Sequence, residues 1–211
     1  IFSSDNDNAK KLFERFSGEK YLAGANGENA LVYAKDIMTT ERGTTFTLVV
    51  NGEDVECSTV LLGAHSVKNI CLASAVAYKM GLSPKEIASG IEKIRSIGHR
   101  LELVPNSKNI VIIDDSYSAN EEGFKSAMEV LDNFKGRKIV LTPGLVELGK
   151  VENLVNFEFG KTLAKHADYV IVVGKHNAEM IIKGLIEGGM PKEKITFAKN
   201  LNKGNAILNE M

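Results

Sequence analysis

The sequence predicts an α/β protein, on three observations. The second half alternates short β-branched runs with helical periods. Ile110-Val111-Ile112-Ile113 is apolar at every position, as in a strand buried on both faces of a parallel sheet. That run ends in Asp114-Asp115 and small polar residues, and open α/β sheets place ligands beyond the carboxyl ends of their strands. The plainer reading of the acidic end is a turn and a helix N-cap.

The first half reads as mixed α+β. Asp7 to Phe16 predicts a short helix with Leu12, Phe13 and Phe16 on one side, and Gly24 to Gly27 a turn. Thr44 to Val50 alternates, placing Phe46, Leu48 and Val50 on one strand face. Asn51-Gly52 is a hairpin signal because both residues tolerate positive φ, and Val55, Cys57 and Thr59 continue on the return strand. The polar loop Gly63 to Ser66 leads into an Ala-rich helix reaching Met80 and stopped by Gly81. Ser83-Pro84-Lys85-Glu86 has Ser at N-cap, Pro at N1 and Glu at N3, a capping box opening a helix to about Ile94.

Residues 96–100 break the helical period, and a domain boundary is expected near residue 98. Beyond it, strands are expected at Leu101–Val104, Asn109–Ile113, Lys138–Thr142, Tyr169–Val173 and Lys194–Phe197. Helices are expected at Glu121–Phe134, Glu152–His166, Asn177–Glu187 and Lys203–Met211. Phe124, Ala127, Met128 and Leu131 form the inward stripe of the first. The opening Ile1-Phe2, with no initiator Met, and the final helical run suggest a fragment of a longer protein.

Composition narrows the function. A net charge of -1 gives no electrostatic footprint for nucleic acid or a membrane surface. Cys57 and Cys71 are too few for a disulfide framework and lack metal-ligand spacing, which suits a reducing, cytoplasmic setting. No apolar run has the length of a membrane span.

Several residues carry candidate chemistry. Gly144 to Val151 nearly spells the phosphate-binding loop G-x-x-x-x-G-K-[ST], but Val151 lacks the hydroxyl that would bind magnesium, and Glu147 puts a negative charge inside the loop. It is better read as a strand-end loop lining a substrate cleft. Arg100, at the expected boundary, could grip phosphate oxygens bidentately; a surface basic pair with His99 is the plainer reading. Asn69 could present donor and acceptor to an adenine edge, and His65 lies near the same helix start; capping by Ser66 or a neighbour is the plainer reading there. His166 and His176 have no metal-spaced partners and read as structural, and no Ser-His-Asp set can be assembled.

Taken together, the motifs resemble the Mur ligase family. Residues 62–69, Leu-Gly-Ala-His-Ser-Val-Lys-Asn, are similar to its L-G-x-H-N-x-x-N. His99-Arg100-Leu101-Glu102 is similar to H-R-x-E. Residues 114–120, Asp-Asp-Ser-Tyr-Ser-Ala-Asn, are similar to the D-D-S-Y-N-A-N of the dipeptide-adding branch, and Glu147-Leu148-Gly149 matches its E-L-G. The resemblance covers nearly the whole chain. It implies the tail of a central ATP-binding domain over residues 1–98. It implies a Rossmann-like ligase domain over 99–211, with its last strand missing. The P-loop, the carbamylated lysine and the Mg2+ ligands would lie upstream, so this chain alone would be inactive, with no catalytic or metal residue of its own.

The implied activity is ATP-dependent amide ligation in peptidoglycan precursor synthesis. A carboxylate of UDP-MurNAc-tripeptide attacks the γ-phosphate, and the amine of D-Ala-D-Ala attacks the resulting acyl phosphate. By resemblance, Asn69, His65, Arg100 and Asp115 would bind ATP, Asn69 at adenine, Arg100 at phosphate or ribose and Asp115 at the ribose hydroxyls. Tyr117, Asn120, Glu147 and Leu148 would line the dipeptide site. A cytoplasmic monomer with small-molecule partners is expected. The chain departs from the pattern at Ser66, Ser118, Glu121, Pro143-Gly144-Leu145 and Asn156, mainly around the second substrate. A relative with another amine or acceptor, of folylpolyglutamate or cyanophycin type, stays open, as does a non-catalytic nucleotide-binding α/β module.

Overall fold

The computed structural model describes residues 1–25, 27, 29–106, 110–117 and 120–211. The chain forms two compact units, residues 1–117 and 118–211.

The first unit is built on a five-stranded sheet in the order β1-β2-β3-β4-β5. Strands β1 (Phe2–Ser3), β2 (Leu22–Gly24) and β3 (Val32–Thr40) are parallel, and β4 (Gly43–Val50) and β5 (Glu53–Thr59) complete an antiparallel meander. The two-residue loop Asn51-Gly52 closes β4 on β5 as expected, with φ of 49° and 86°. Strands β2 and β3 were not foreseen. A bulge between Lys35 and Met38, with Asp36 at φ 54°, breaks the alternation that would have signalled β3. Phe46, Leu48 and Val50 lie in the core with Val67, Cys71 and Ala75 of helix α2 (Ala64–Lys79). Helix α1 (Asp7–Arg15) is capped by Asn6 and buries no residue; Leu12 is exposed, while Phe13 meets Phe2 edge-on. Gly81 ends α2 at φ 100°, where a side chain would be strained. The capping box of α3 (Pro84–Ile91) forms as predicted, Ser83 Oγ accepting the Glu86 amide and Glu86 accepting the Ser83 amide.

The apolar run at 110–113 behaves differently from its sequence. Its first expected residue, Asn109, lies outside the described residues. The strand β7 is only Ile113–Asp114, paired antiparallel with β6 (Glu102–Leu103). Ile110, Val111 and Ile112 are exposed, not buried on both faces. Apolar β-branched composition specifies an extended backbone, but two-sided burial needs a flanking strand on each edge and a layer on each face. Here Val104 donates to the Ile112 carbonyl and Asn106 to the Ile110 carbonyl, so the segment folds back locally.

The second unit carries the alternation that the sequence shows: α4 (Glu121–Asp132), β8 (Ile139–Thr142), α5 (Glu152–Leu163), β9 (Tyr169–Val173), α6 (Ala178–Glu187), β10 (Ile195–Ala198) and α7 (Leu201–Asn209). Strands β8, β9 and β10 form an all-parallel sheet in the order β10-β9-β8. Phe124, Met128, Phe159, Val170, Ile181 and Leu185 make its core. Helices α5 and α6 touch backbone to backbone at Gly160 and Gly184. A Cβ on Gly184 would stand 2.1 Å from the Phe157 carbonyl oxygen. Among the described residues no helix is long and apolar enough to cross a membrane.

Candidate functional site

The motif residues of the first unit gather on the turn 97–102 and the strand end 114–117. His99 and Leu101 adopt left-handed backbone conformations, φ 64° and 45°. Such conformations cost on the order of 1–3 kcal/mol each in a non-glycine residue and persist only where the surroundings over-determine them. Four contacts do so. Glu102 accepts the His99 amide at 3.1 Å, and the His99 carbonyl accepts the Tyr117 amide at 3.1 Å. Asp114 Oδ2 lies 2.7 Å from His99 Nδ1, and Asp115 Oδ1 accepts the Leu101 amide at 3.2 Å. Between these fixed points lies the exposed residue Arg100, its guanidinium carbon 4.8 Å from the centre of the exposed Tyr117 ring. That is within cation–π range.

The electrostatics follow the geometry. The hydrogen bond that His99 donates to Asp114, then the charge of Asp114, holds the His99 imidazole above its ordinary pKa. For Asp114, burial pushes upward, but hydrogen bonds from Ser116 and His99 outweigh it and keep the carboxyl below its ordinary range. For Asp115, burial wins over the Leu101 amide and the Arg100 charge, and its carboxyl titrates higher than usual. Ser116, His99 and Asp114 lie together, yet they make no nucleophilic relay. Both the hydroxyl and the carboxylate face the same ring atom, Nδ1, whereas a relay needs opposite nitrogens.

On α2, His65 and Asn69 are four residues apart and so share one face. Asn69 is exposed. The helix starts at Gly63, φ 83°, with no side-chain cap; the Ser66 hydroxyl instead donates back to the Leu62 carbonyl at 2.8 Å. Ser66 is therefore not the cap: Gly63 holds the N-cap position, and Ser66 lies in the first helical turn. Asn120 is the N-cap of α4, its Oδ1 accepting the Gly123 amide at 2.7 Å, which is the plain role for that position. Ser118 and Ala119 lie outside the described residues.

In the second unit, residues 143–148 leave β8 and enter a 3-10 turn, Gly149–Val151. Leu145 is buried, while Val146 and Glu147 are exposed. Glu147 is left-handed, φ 64°. Glu152 accepts the Leu148 amide at 3.3 Å and meets His176 Nε2 at 2.5 Å. The hydrogen bond from the Leu148 N–H, then the histidine, keeps the Glu152 carboxyl below its ordinary range. A phosphate-binding loop offers free amides to the anion. Here the Leu145 amide is held by Asn156 and the Leu148 amide by Glu152, so the near-match to a P-loop is not one. His166 pairs with Asp132 at 2.7 Å, the structural role expected of it. The buried amides of Asn156 and Asn177 around Leu145 were not foreseen as a unit; nothing in their spacing signals a shared partner.

Among the described residues no three His, Cys, Asp or Glu side chains gather as metal ligands. A guanidinium beside an aromatic ring, next to a partly open carboxylate, offers partners for phosphate and for hydroxyl groups.

These features define an α/β protein with a mixed sheet in one unit, a parallel sheet in the other, and a conformationally strained basic turn ahead of an acidic strand end. Residues 99–209 match the family model "Mur ligase, glutamate ligase domain", and residues 1–77 match "Mur ligase middle domain". The chain belongs to the Mur ligase family. It is 30% identical over 146 residues to the UDP-N-acetylmuramoyl-tripeptide--D-alanyl-D-alanine ligase of Haemophilus influenzae, an alignment covering 69% of this chain and 32% of that protein. It superposes on MurF from Acinetobacter baumannii with a TM-score of 0.82 at 22% identity, covering 99% of this chain and 44% of that one. For the MurF ligase from Thermotoga maritima in complex with ADP the TM-score is 0.79 at 21% identity, covering 98% of this chain and 44% of that one. The chain thus spans about a third to under a half of the length of these proteins.

Proposed function

We propose that this chain is the part of an ATP-dependent amide ligase that closes on the nucleotide and receives the incoming amine, in the reaction joining D-Ala-D-Ala to UDP-MurNAc-tripeptide. The observation that carries the reading is the turn 99–101, held in two left-handed conformations by Asp114, Asp115 and Glu102 so that Arg100 projects beside Tyr117. Backbone strain fixed from several sides is a mark of functional positioning. The relative from Haemophilus influenzae is named for this ligation, and the Thermotoga maritima neighbour holds ADP.

In this reading Arg100 neutralises charge on the ATP phosphates, and the carboxylate oxygen of Asp115 not used by Leu101 accepts from a ribose hydroxyl. Asn69 and His65 meet the adenine end. Tyr117, Asn120, Glu147 and Leu148 line the dipeptide site. Magnesium is assigned to no side chain of this chain. Our proposed boundary between the ATP-binding portion and the ligase domain lies near residue 98; the ligase-domain match starting at residue 99 supports it, whereas the structure divides into compact units after residue 117. A cytoplasmic monomer acting on small molecules completes the proposal.

The test is ADP release by the full ligase containing this chain, with UDP-MurNAc-tripeptide and a panel of amino acids and D-Ala-D-Ala. Release that requires D-Ala-D-Ala supports the proposal. Release with a different amine reassigns the second substrate, and no amine-dependent release removes the ligase reading.

A further inference from the structure

Leu145 is held at both of its backbone polar groups. Its amide donates to Asn156 Oδ1 at 2.9 Å, and its carbonyl accepts from Asn156 Nδ2 at 2.8 Å and from Asn177 Nδ2 at 2.9 Å. Asn156 is fully buried and Asn177 nearly so. The second Asn156 N–H donates to the Glu152 carbonyl at 3.0 Å, so the amide group is satisfied inside α5 itself. Gly144, at φ 84°, completes the fit: a Cβ there would stand 2.4 Å from Asn156 Oδ1. The Leu145 side chain is 1% exposed and plugs the core. With Leu145 fixed from α5 and from the start of α6, Val146 and Glu147 are forced outward, and Glu147 turns left-handed before Glu152 catches the Leu148 amide.

We propose that Asn156 and Asn177 are positioning residues for the second substrate: they hold the loop 145–148 so that the exposed Glu147 faces the incoming dipeptide. This rests on the function proposed above. The physical reason is that a loop carrying a binding group contributes only if its geometry is set before the ligand arrives. Two primary amides on the backbone groups of one residue restrain that loop, because leaving a buried amide without a partner is costly. The roles differ in kind. Asn156 grips both Leu145 groups and sits within α5; Asn177 adds one bond from the residue that precedes α6.

The test uses the full ligase with Asn156→Ala and Asn177→Ala, and reads the KM for the amine and for ATP separately. Amide exchange at Leu145 and Leu148 is followed alongside. The expected result is faster exchange at Leu145 and Leu148, and a rise of roughly tenfold in amine KM, the size of one lost buried hydrogen bond. The KM for ATP stays within about twofold. Asn177→Ala removes a single bond and keeps the test available if Asn156→Ala does not fold. Asn177→Gln, which keeps the amide on a longer stem, restores part of the amine KM. Faster exchange with an unchanged amine KM overturns the proposal, and so does an equal rise in both KM values. A wild type that ligates no amine removes the proposed function and this role together, whereas a wild type that ligates normally beside variants with unaltered amine KM removes this role alone.

Discussion

The carboxylate of Asp115 reaches back across the strand end to accept the Leu101 amide, at 3.2 Å, and so fixes the residue next to Arg100. Asp115 therefore acts on the basic turn. Replacing it with Ala removes a charge-assisted bond of about 1.5–3 kcal/mol and frees Leu101 from φ 45°. In the full ligase, Asp115→Ala is expected to raise the KM for ATP about tenfold or more. Steady-state kinetics check this, and an unchanged KM removes Asp115 from the nucleotide site.

The His99–Asp114 pair makes the same turn sensitive to pH. His99 titrates above its ordinary value of 6.5, because Asp114 favours the imidazolium. The sign follows: the stabilisation is complete below the unfolded pKa and is lost as pH rises through the raised folded value. The His99 ring resonances, followed by NMR, are expected to titrate above 6.5 and to fall back toward it in Asp114→Asn. A His99 that titrates at its ordinary value in the wild type would contradict the pairing.

Much of this fold is written in local sequence signals, and the exceptions have physical causes. The Asn51-Gly52 hairpin, the Ser83 capping box and strand β9 form where they were expected, because each depends on residues close in sequence. Strand β3 was hidden by its bulge at Asp36. The run 110–113 misled because burial is a property of what packs against a strand, not of the strand. For the site, the residue types were legible at Arg100, Asp114 and Asp115. Their division of labour was not: which carboxylate holds the imidazole and which holds a backbone amide depends on φ values that no single residue announces.

Two glycines in helices should respond with opposite signs. Gly90 of α3 has open space around it, so Gly90→Ala is expected to stabilise by up to about 1 kcal/mol through helix propensity. Gly184 of α6 touches α5, and an added methyl would meet the Phe157 carbonyl at 2.1 Å. Gly184→Ala is expected to destabilise by about 1–3 kcal/mol despite the same propensity gain. Urea unfolding of both variants reads the contrast, and a stabilised Gly184→Ala would show that the two helices are not in backbone contact.

The two cysteines should be inert in the native protein. Burial pushes the Cys57 thiol up to about 11 and the Cys71 thiol up to about 12. The thiolate is the reactive form, so little of either is present at pH 8. Labelling by a thiol reagent is expected to be slow in buffer and rapid in denaturant. Fast native labelling would place one of these side chains outside the core that contains Phe46 and Val67.

The loop 144–151 makes the final prediction, because it resembles a nucleotide loop in letters and not in chemistry. The Leu145 and Leu148 amides are already taken by Asn156 and Glu152, and Val151 offers no hydroxyl. Glu147 and Glu152 also add negative charge where a phosphate would need to settle. The 211-residue chain by itself is therefore expected to release no phosphate from ATP, with or without the ligase substrates. Lys150→Ala is expected to leave nucleotide affinity unchanged, as measured by calorimetry on the full ligase. Phosphate release by the chain alone, or a large loss of affinity in Lys150→Ala, would mean that this loop rearranges to bind phosphate after all.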